Sequence, residues 1–229
     1  GGVFDLSSPK IMGVLNVTPD SFYDGGVFSN EKKILAQVEK MILDGADIID
    51  IGGFSSKPGA KTISLKEEEK RVIPIIKLIN KTFNKIIISV DTFRSEIAEK
   101  SLNEGASIIN DISGGDLDKN IYQISYKYKA PYIMMHMNGV PSNMQNNPKY
   151  ENINHDIIKD FTSKIDSAEK KGVCDIIIDP GFGFGKTIQH NYQILNNLKL
   201  YTVLKKPILV GISRKSMIYK LLKTDPSKA

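Results

Sequence analysis

Met12-Gly13-Val14-Leu15-Asn16-Val17-Thr18-Pro19-Asp20-Ser21-Phe22 starts as an apolar run and stops in an amide, a hydroxyl, a proline and a carboxylate. Its composition predicts a short buried strand over residues 11–15. Asp24-Gly25-Gly26 follows, where glycine lets the backbone turn freely before a helical pattern begins near Glu31. A parallel strand that breaks into a polar, glycine-rich loop at its carboxyl end is where α/β proteins place their chemistry.

The same strand-then-helix unit recurs along the chain. Short β-branched runs predict strands over residues 11–15, 48–51, 86–90, 107–110, 132–136, 175–178 and 207–210. Amphipathic stretches predict helices over 32–43, 65–80, 95–103, 118–128, 150–171, 191–197 and 215–222. Runs apolar on both faces, such as Ile86-Ile87-Ile88, suit a parallel sheet covered by helices. Gly45, Gly105 and Gly172 each stand where a helix stops before the next strand. These are about seven βα units in series. Eight would close a (β/α)8 barrel, and a doubly wound open sheet is equally compatible with the count and the periodicity. No linker, low-complexity segment or second domain interrupts residues 1–229, which read as one domain.

Hydrophobic residues at 41% and charged residues at 25% are ordinary for a globular chain long enough to bury a substantial core. No apolar run approaches the ~20 residues that span a bilayer. The start, Gly1-Gly2-Val3-Phe4-Asp5, lacks the basic and apolar regions of a signal peptide, so no membrane is expected and a cytoplasmic location is. The net charge is +5, with lysines scattered over helical stretches such as Lys32-Lys33 and Lys170-Lys171. That scatter reads as solvated helix faces and not as a nucleic-acid surface. A basic balance also suits anionic small substrates. The lone Cys174 has no disulfide partner and reads as structural, and three histidines without a Cys–His cluster give a zinc site little to build on.

Residues just beyond the carboxyl ends of barrel strands converge on one mouth. Strand one delivers Asn16 there, strand two Gly52-Gly53 with Ser55-Ser56-Lys57-Pro58-Gly59, strand three Asp91-Thr92 and strand four Asn110-Asp111. Strand five delivers Met135-His136-Met137, strand six Asp179-Pro180-Gly181, and strand seven Gly211-Ile212-Ser213-Arg214-Lys215-Ser216. Each polar group alone could cap a helix. Together they predict a binding mouth. Asp91, Asn110 and Asp179 offer acceptors and an amide donor in a funnel with Ile112, Met135 and Phe184. A flat heterocycle with an amino–imino edge would satisfy such carboxylates, and Lys215 supplies a nearby cation.

Asp179-Pro180-Gly181-Phe182-Gly183-Phe184-Gly185-Lys186-Thr187 resembles a nucleotide loop but lacks its spacing. A Walker A loop needs glycine where Pro180 stands, and the dinucleotide fingerprint places its last glycine one residue further on. The stretch reads instead as a loop whose glycines let Phe184 fold over a ligand, with Lys186 merely solvated.

The chain resembles the dihydropteroate synthases from about Leu6 onward. The phrases that carry the resemblance are Gly13-Val-Leu-Asn-Val-Thr-Pro-Asp-Ser-Phe22, Ser89-Val-Asp-Thr92, Ile109-Asn-Asp-Ile112, Met135-His-Met137, the glycine-rich Asp179–Lys186 loop and Ser213-Arg-Lys-Ser216. The resemblance decides for the barrel. Family members are (β/α)8 TIM barrels of greater length, so it implies a C-terminally incomplete barrel here, continuing beyond Ala229 in the native protein. It implies a transferase that joins 6-hydroxymethyl-7,8-dihydropterin diphosphate to 4-aminobenzoate, releasing pyrophosphate and giving 7,8-dihydropteroate for folate synthesis, and it marks the chain as a sulfonamide target. Asp91, Asn110, Asp179 and Lys215 match the family's pterin-holding positions, and Ile112, Met135, Phe184 and Gly211 its pocket wall. Asn16 matches the position that helps hold Mg2+ and the diphosphate. Phe22, Ser56, Lys57, Pro58 and Ser216 match the second loop and the region that receives 4-aminobenzoate. Asp24, Asp91 and Lys215 are the implied catalytic residues, with Asp24 near the arriving amine.

Two departures stand out. Ser56-Lys57 replaces the family's Thr-Arg, keeping hydroxyl and charge but losing the planar guanidinium fork. The family's eighth-strand arginine and histidine, which help bind diphosphate, have no counterpart in the sequence. The resemblance also implies a homodimer at full length. Two other readings fit fewer of these residues. A methyltetrahydrofolate–corrinoid methyltransferase barrel would not need Ser56-Lys57-Pro58 or the Ser213–Ser216 phrase, and a non-catalytic pterin binder would release no pyrophosphate.

Overall fold

The computed structural model describes residues 4–18, 27–54, 63–139 and 148–229. They form two compact units, one ending at Asn110 and the other running from Asp111 to Ala229.

The first unit contains β1 (Met12–Asn16), α1 (Val27–Leu43), β2 (Ile48–Gly52), α2 (Leu65–Thr82), β3 (Ile87–Asp91), α3 (Ser95–Asn103) and β4 (Ile108–Asp111), whose last residue opens the second unit. β1 pairs with β2, β2 with β3 and β3 with β4, all parallel. Side chains alternate between faces along each strand. Leu15, Ile49, Ile51, Ile88 and Val90 face the helices and pack with Val38, Val72, Ile76, Ile79 and Ile97 into one buried cluster. Each fully buried isoleucine contributes roughly 1.5–3 kcal/mol by removal from water, so this cluster is what holds the helices to the sheet. Ser64 caps α2 by accepting from the Glu67 N–H at 3.2 Å, and Gly45 and Gly105, at φ +102° and +113°, supply the left-handed turns that stop α1 and α3. β1 departs from the buried strand expected over residues 11–15. It pairs with β2 alone among the described residues, and Val14 is exposed.

The second unit continues with α4 (Ile121–Tyr128), β5 (Tyr132–Met135), α5 (Ile153–Lys170), β6 (Ile176–Asp179), α6 (Ile188–Asn196) and α7 (Ser216–Leu222). β5 and β6 are parallel neighbours, with Met135 opposite Asp179. Residues 207–210, expected as a seventh strand, make only a single bridge, Ile178 to Ile208. The Ile178 N–H donates to the Pro207 carbonyl at 2.9 Å and the Leu209 N–H donates to the Ile178 carbonyl at 2.8 Å. Pro207 has no N–H, which shortens any ladder there. Two one-turn-or-longer 3₁₀ segments, Leu198–Leu204 and Pro226–Lys228, were not expected, and the first buries Tyr201. Cys174, expected to be structural, is an exposed free thiol.

Six strands among the described residues, β1 to β4 parallel in series and β5 parallel to β6, each followed in sequence by a helix, make this an α/β fold built from the repeating unit of a (β/α)8 barrel.

Candidate active site

In the first unit the register draws the polar strand ends into a single row. Asn16 of β1 lies opposite Gly52 of β2, Gly52 opposite Asp91 of β3, and Asp91 opposite Asn110 of β4. Residues paired in a parallel ladder point to the same face, so Asn16, Asp91 and Asn110 present their side chains together. Gly52 makes this compatible with close packing. A Cβ added there would lie 3.2 Å from Asp91 Oδ2 and 3.4 Å from Asn16 Oδ1, tight against both oxygens. Asn16 is exposed, Asp91 is buried, and Asn110 is half-buried. One pleat below the row stands Asp50, itself buried, whose Oδ2 accepts from the Asn110 Nδ2 amide at 2.9 Å.

The approach to this row is braced by charge. Glu68 of α2 is fully buried, accepts from the Thr92 hydroxyl at 2.6 Å through Oε1, and pairs through Oε2 with the Arg94 guanidinium. Arg94 also donates to the Ile63 carbonyl at 2.7 Å, and Arg71 donates to the Gly53 carbonyl at 3.0 Å. Two arginines thereby hold the described ends of the β2–α2 connection.

The second unit carries the remaining strand-end groups. Met135 and Asp179 share a row on β5 and β6 and both are buried. Asp179 Oδ1 accepts from the Gly181 N–H at 2.7 Å, fixing the turn that follows. Gly181 sits at φ +71°, and a Cβ there would collide with the His136 carbonyl oxygen, so only glycine fits. Lys215 stands just before the first residue of α7, and its Nζ lies 4.5 Å from the centroid of the Phe184 ring, a cation–π contact. Burial lowers the Lys215 ammonium pKa, and the Asp179 carboxylate opposes that shift. Ile112 is buried in the turn after Asp111. Asp111 holds that turn by accepting from the Ser113 N–H and the Gly115 N–H, each at 2.8 Å, and from the Tyr132 hydroxyl at 2.6 Å. Burial raises its carboxyl pKa, with those donors opposing.

Lys186 overturns its expected role as a solvated residue. It is buried, its Nζ donates to the Phe184 carbonyl at 2.9 Å and the His136 carbonyl at 3.1 Å, and it lies 3.0 Å from His136 Nδ1. Burial brings its pKa down to about 7, against the pull of Asp179. Burial and the nearby Lys186 charge likewise push His136 down to about 2. A neutral His136 protonated on Nε2 leaves Nδ1 to accept, so the three ammonium N–H groups of Lys186 meet three acceptors. The loop that sequence spacing likened to a nucleotide site is thus pinned from inside by its own lysine.

The structure therefore gathers Asn16, Asp91 and Asn110 in the first unit; in the second it sets Met135 opposite Asp179 and Lys215 against Phe184, and buries Ile112 in the turn after β4. Gly211 follows the short bridge after β6, with open space where a Cβ would be, and Ser216 opens α7. Phe22, Asp24, Ser56, Lys57 and Pro58 lie outside the described residues. Sequence reasoning passed over Asp50, which lies inside an apolar strand with no loop signal beside it. It also passed over the bracing role of Glu68, which looks like any surface acid of an amphipathic helix.

A βα repeat with polar groups at the carboxyl ends of its strands places the chain among the βα-repeat proteins, a class that binds its ligands at those ends. A sequence model described as pterin binding enzyme matches residues 12–229. The chain is 44% identical over 221 residues to the dihydropteroate synthase of Synechocystis, covering 95% of this chain and 76% of that protein. A crystal structure of the Yersinia pestis dihydropteroate synthase with a sulfonamide drug complex superposes with a TM-score of 0.91 at 40% identity, covering 100% of this chain and 83% of that one. The Xanthomonas albilineans dihydropteroate synthase in complex with 7,8-dihydropteroate superposes with a TM-score of 0.86 at 32% identity, over 98% and 80% of the two chains. The chain belongs to the pterin-binding enzyme family and, within it, to the dihydropteroate synthases.

Proposed function

We propose that this chain carries out the family reaction with the residues described above: Asp91, Asn110, Asp179 and Lys215 hold the pterin, and Ile112, Met135, Phe184 and Gly211 form its wall. The reaction condenses 6-hydroxymethyl-7,8-dihydropterin diphosphate with 4-aminobenzoate. The bond from the exocyclic methylene to the diphosphate oxygen breaks, its electron pair leaving with pyrophosphate. The aromatic amine forms the new C–N bond and gives up one proton. The pterin ring delocalises positive charge, so departure of the diphosphate runs ahead of attack, and the protein acts by placement and electrostatics. Asp91 and Asp179 favour the cationic ring, and Lys215 donates to a ring acceptor. Phe22, Ser56, Pro58 and Ser216 receive 4-aminobenzoate, with Asp24 near its nitrogen, and Lys57 supplies a further substrate-binding charge from the second loop.

Magnesium belongs to the same reading. A hard cation carried by a diphosphate needs only one or two protein oxygens, and the exposed Asn16 carboxamide beside Asp91 is of the right kind. Among the described residues no cluster of three or more His, Cys, Asp or Glu side chains offers a cage of its own. Asn16 would therefore hold the ion jointly with the substrate's phosphates. When bound, it supplies positive charge against the charge growing on the leaving group. A cytoplasmic setting and a homodimer complete the reading. No described helix is long and apolar enough to cross a membrane, and Leu221 and Leu222 of α7 are exposed apolar groups that a dimer could cover.

The observation that carries this function is the in-register row of Asn16, Gly52, Asp91 and Asn110. Incubating the chain with the pterin diphosphate, 4-aminobenzoate and magnesium should yield dihydropteroate and pyrophosphate in equal amounts. Lys215→Ala should lower turnover by about a hundredfold or more. Retention of the pterin without pyrophosphate release would instead make the chain a binder only.

A further inference from the structure

The ligand-facing role of Asn110 depends on which end of its amide points outward. An asparagine amide is symmetric in shape and opposite in chemistry at its two ends: Oδ1 accepts and Nδ2 donates. Its orientation is set by whichever neighbour fixes one end. Here that neighbour is Asp50. It lies on β2, two residues before Gly52 and on the same face, opposite Ser89 of β3. Asp50 is 4% exposed and Ser89 is fully buried, so bulk water cannot take the place of either. The Asn110 Nδ2 donates to Asp50 Oδ2 at 2.9 Å.

Asp50 Oδ1 and Ser89 Oγ make no hydrogen bond to protein atoms in the described structure, although the Ser89 hydroxyl is near enough to favour the charged carboxylate. Burial raises the Asp50 pKa. Oδ2 accepts when Asp50 is a carboxylate, and also when it is a neutral acid with its proton on Oδ1. As a carboxylate, Asp50 has only acceptors. As a neutral acid with its proton on Oδ1, the oxygen turned away from Asn110, it keeps a carbonyl at Oδ2. Both states hold the Asn110 amine end inward.

We infer that Asp50 is a positioning residue that locks the Asn110 amide so that Oδ1 faces the bound pterin, selecting a ring edge that presents an N–H donor. This rests on the proposed function, because it deepens the role of Asn110 in that site. An isosteric Asp50→Asn change removes the lock without changing shape: the new amide can donate or accept, and Asn110 is free to turn its amine outward against the ring N–H. A site built to pair with a polar group discriminates strongly when that group is mismatched.

Equilibrium binding of the dihydropterin diphosphate and steady-state kinetics on the same preparations test this. In Asp50→Asn the pterin Kd should rise about tenfold, while the KM for 4-aminobenzoate at saturating pterin stays put. The double variant Asp50→Asn with Asn110→Asp exchanges the two groups: position 50 now donates and position 110 still offers an acceptor outward. It should bind within about threefold of the unsubstituted chain. Unchanged pterin binding in a folded Asp50→Asn chain would overturn the inference, as would an exchange variant that folds but fails to restore binding. If Asp50→Asn does not fold, the exchange variant alone decides. Failure of the unsubstituted chain to bind the pterin or turn over would sink the functional reading instead, and the two failures are thereby distinguishable.

Discussion

His136 shows how a buried side chain can be set by its surroundings and then set a loop in turn. It is 6% exposed, lies between β5 and the glycine-rich turn after β6, and has a pKa near 2 because burial and Lys186 both oppose its charge. A histidine whose folded pKa lies below its unfolded value takes up protons on unfolding. Its contribution to stability is therefore complete above the unfolded pKa, near 6.5, and is lost as pH falls toward 2. On lowering pH from 7 to 5, the unfolding free energy of the chain should fall by about 2 kcal/mol more than that of the His136→Asn variant. Denaturant titrations at the two pH values measure the difference, and equal losses in the two proteins would show that His136 does not stay neutral. The strand-end position of His136 was legible in the sequence. Its partnership with Lys186 was not, because Lys186 follows three glycines in a stretch that reads as an open loop, and only the folding back of that loop brings its ammonium group to the His136 ring 50 positions earlier in the chain.

At the scale of elements, α2 does more than cover the sheet. Its acidic first turns, with Glu67 and Glu68, suit a helix N-terminus and would ordinarily be read as dipole compensation on a solvated face. Glu68 instead points inward and joins Thr92 and Arg94 beyond β3, while Arg71 one turn later reaches the Gly53 carbonyl beyond β2. The helix thereby ties the ends of two strands that carry site residues. Glu68→Gln keeps the shape but removes the counter-charge of a mostly buried guanidinium, which should destabilise the chain by about 3 kcal/mol. Urea unfolding would register this as a lower midpoint at unchanged slope, and a change below about 0.5 kcal/mol would mean the pair is balanced by its own desolvation. Helix positions followed from apolar spacing to within a few residues, but the ends moved where the capping chemistry was overlooked. Thr187, with its hydroxyl accepting from the His190 N–H at 3.1 Å, starts α6 earlier than the periodicity suggests. Asn152 starts α5 later, by the same means.

For the molecule as a whole, charge and ligand are matched. The chain carries +5, and the substrate proposed for it is a diphosphate. Attraction of that kind is screened by salt, so the KM for the pterin diphosphate should rise about threefold or more as ionic strength is raised to about 0.5 M. The KM for 4-aminobenzoate, a single carboxylate, should rise less in the same assay, and equal responses would place the effect outside substrate attraction. The βα repeat, the strand ends that carry Asn16, Asp91, Asn110, Met135 and Asp179, and the family itself were all determined by the sequence alone. They are local or linear properties: period-two and helical spacing, glycine stops, and short phrases of fixed order. Only the tertiary structure decided that Asn16, Gly52, Asp91 and Asn110 share one row, that Asp50 fixes the Asn110 amide, and that Lys186 is buried. Register between parallel strands and the partners of a buried charge are set by contacts between residues dozens of positions apart, and hydrophobic periodicity along a single chain carries no record of them.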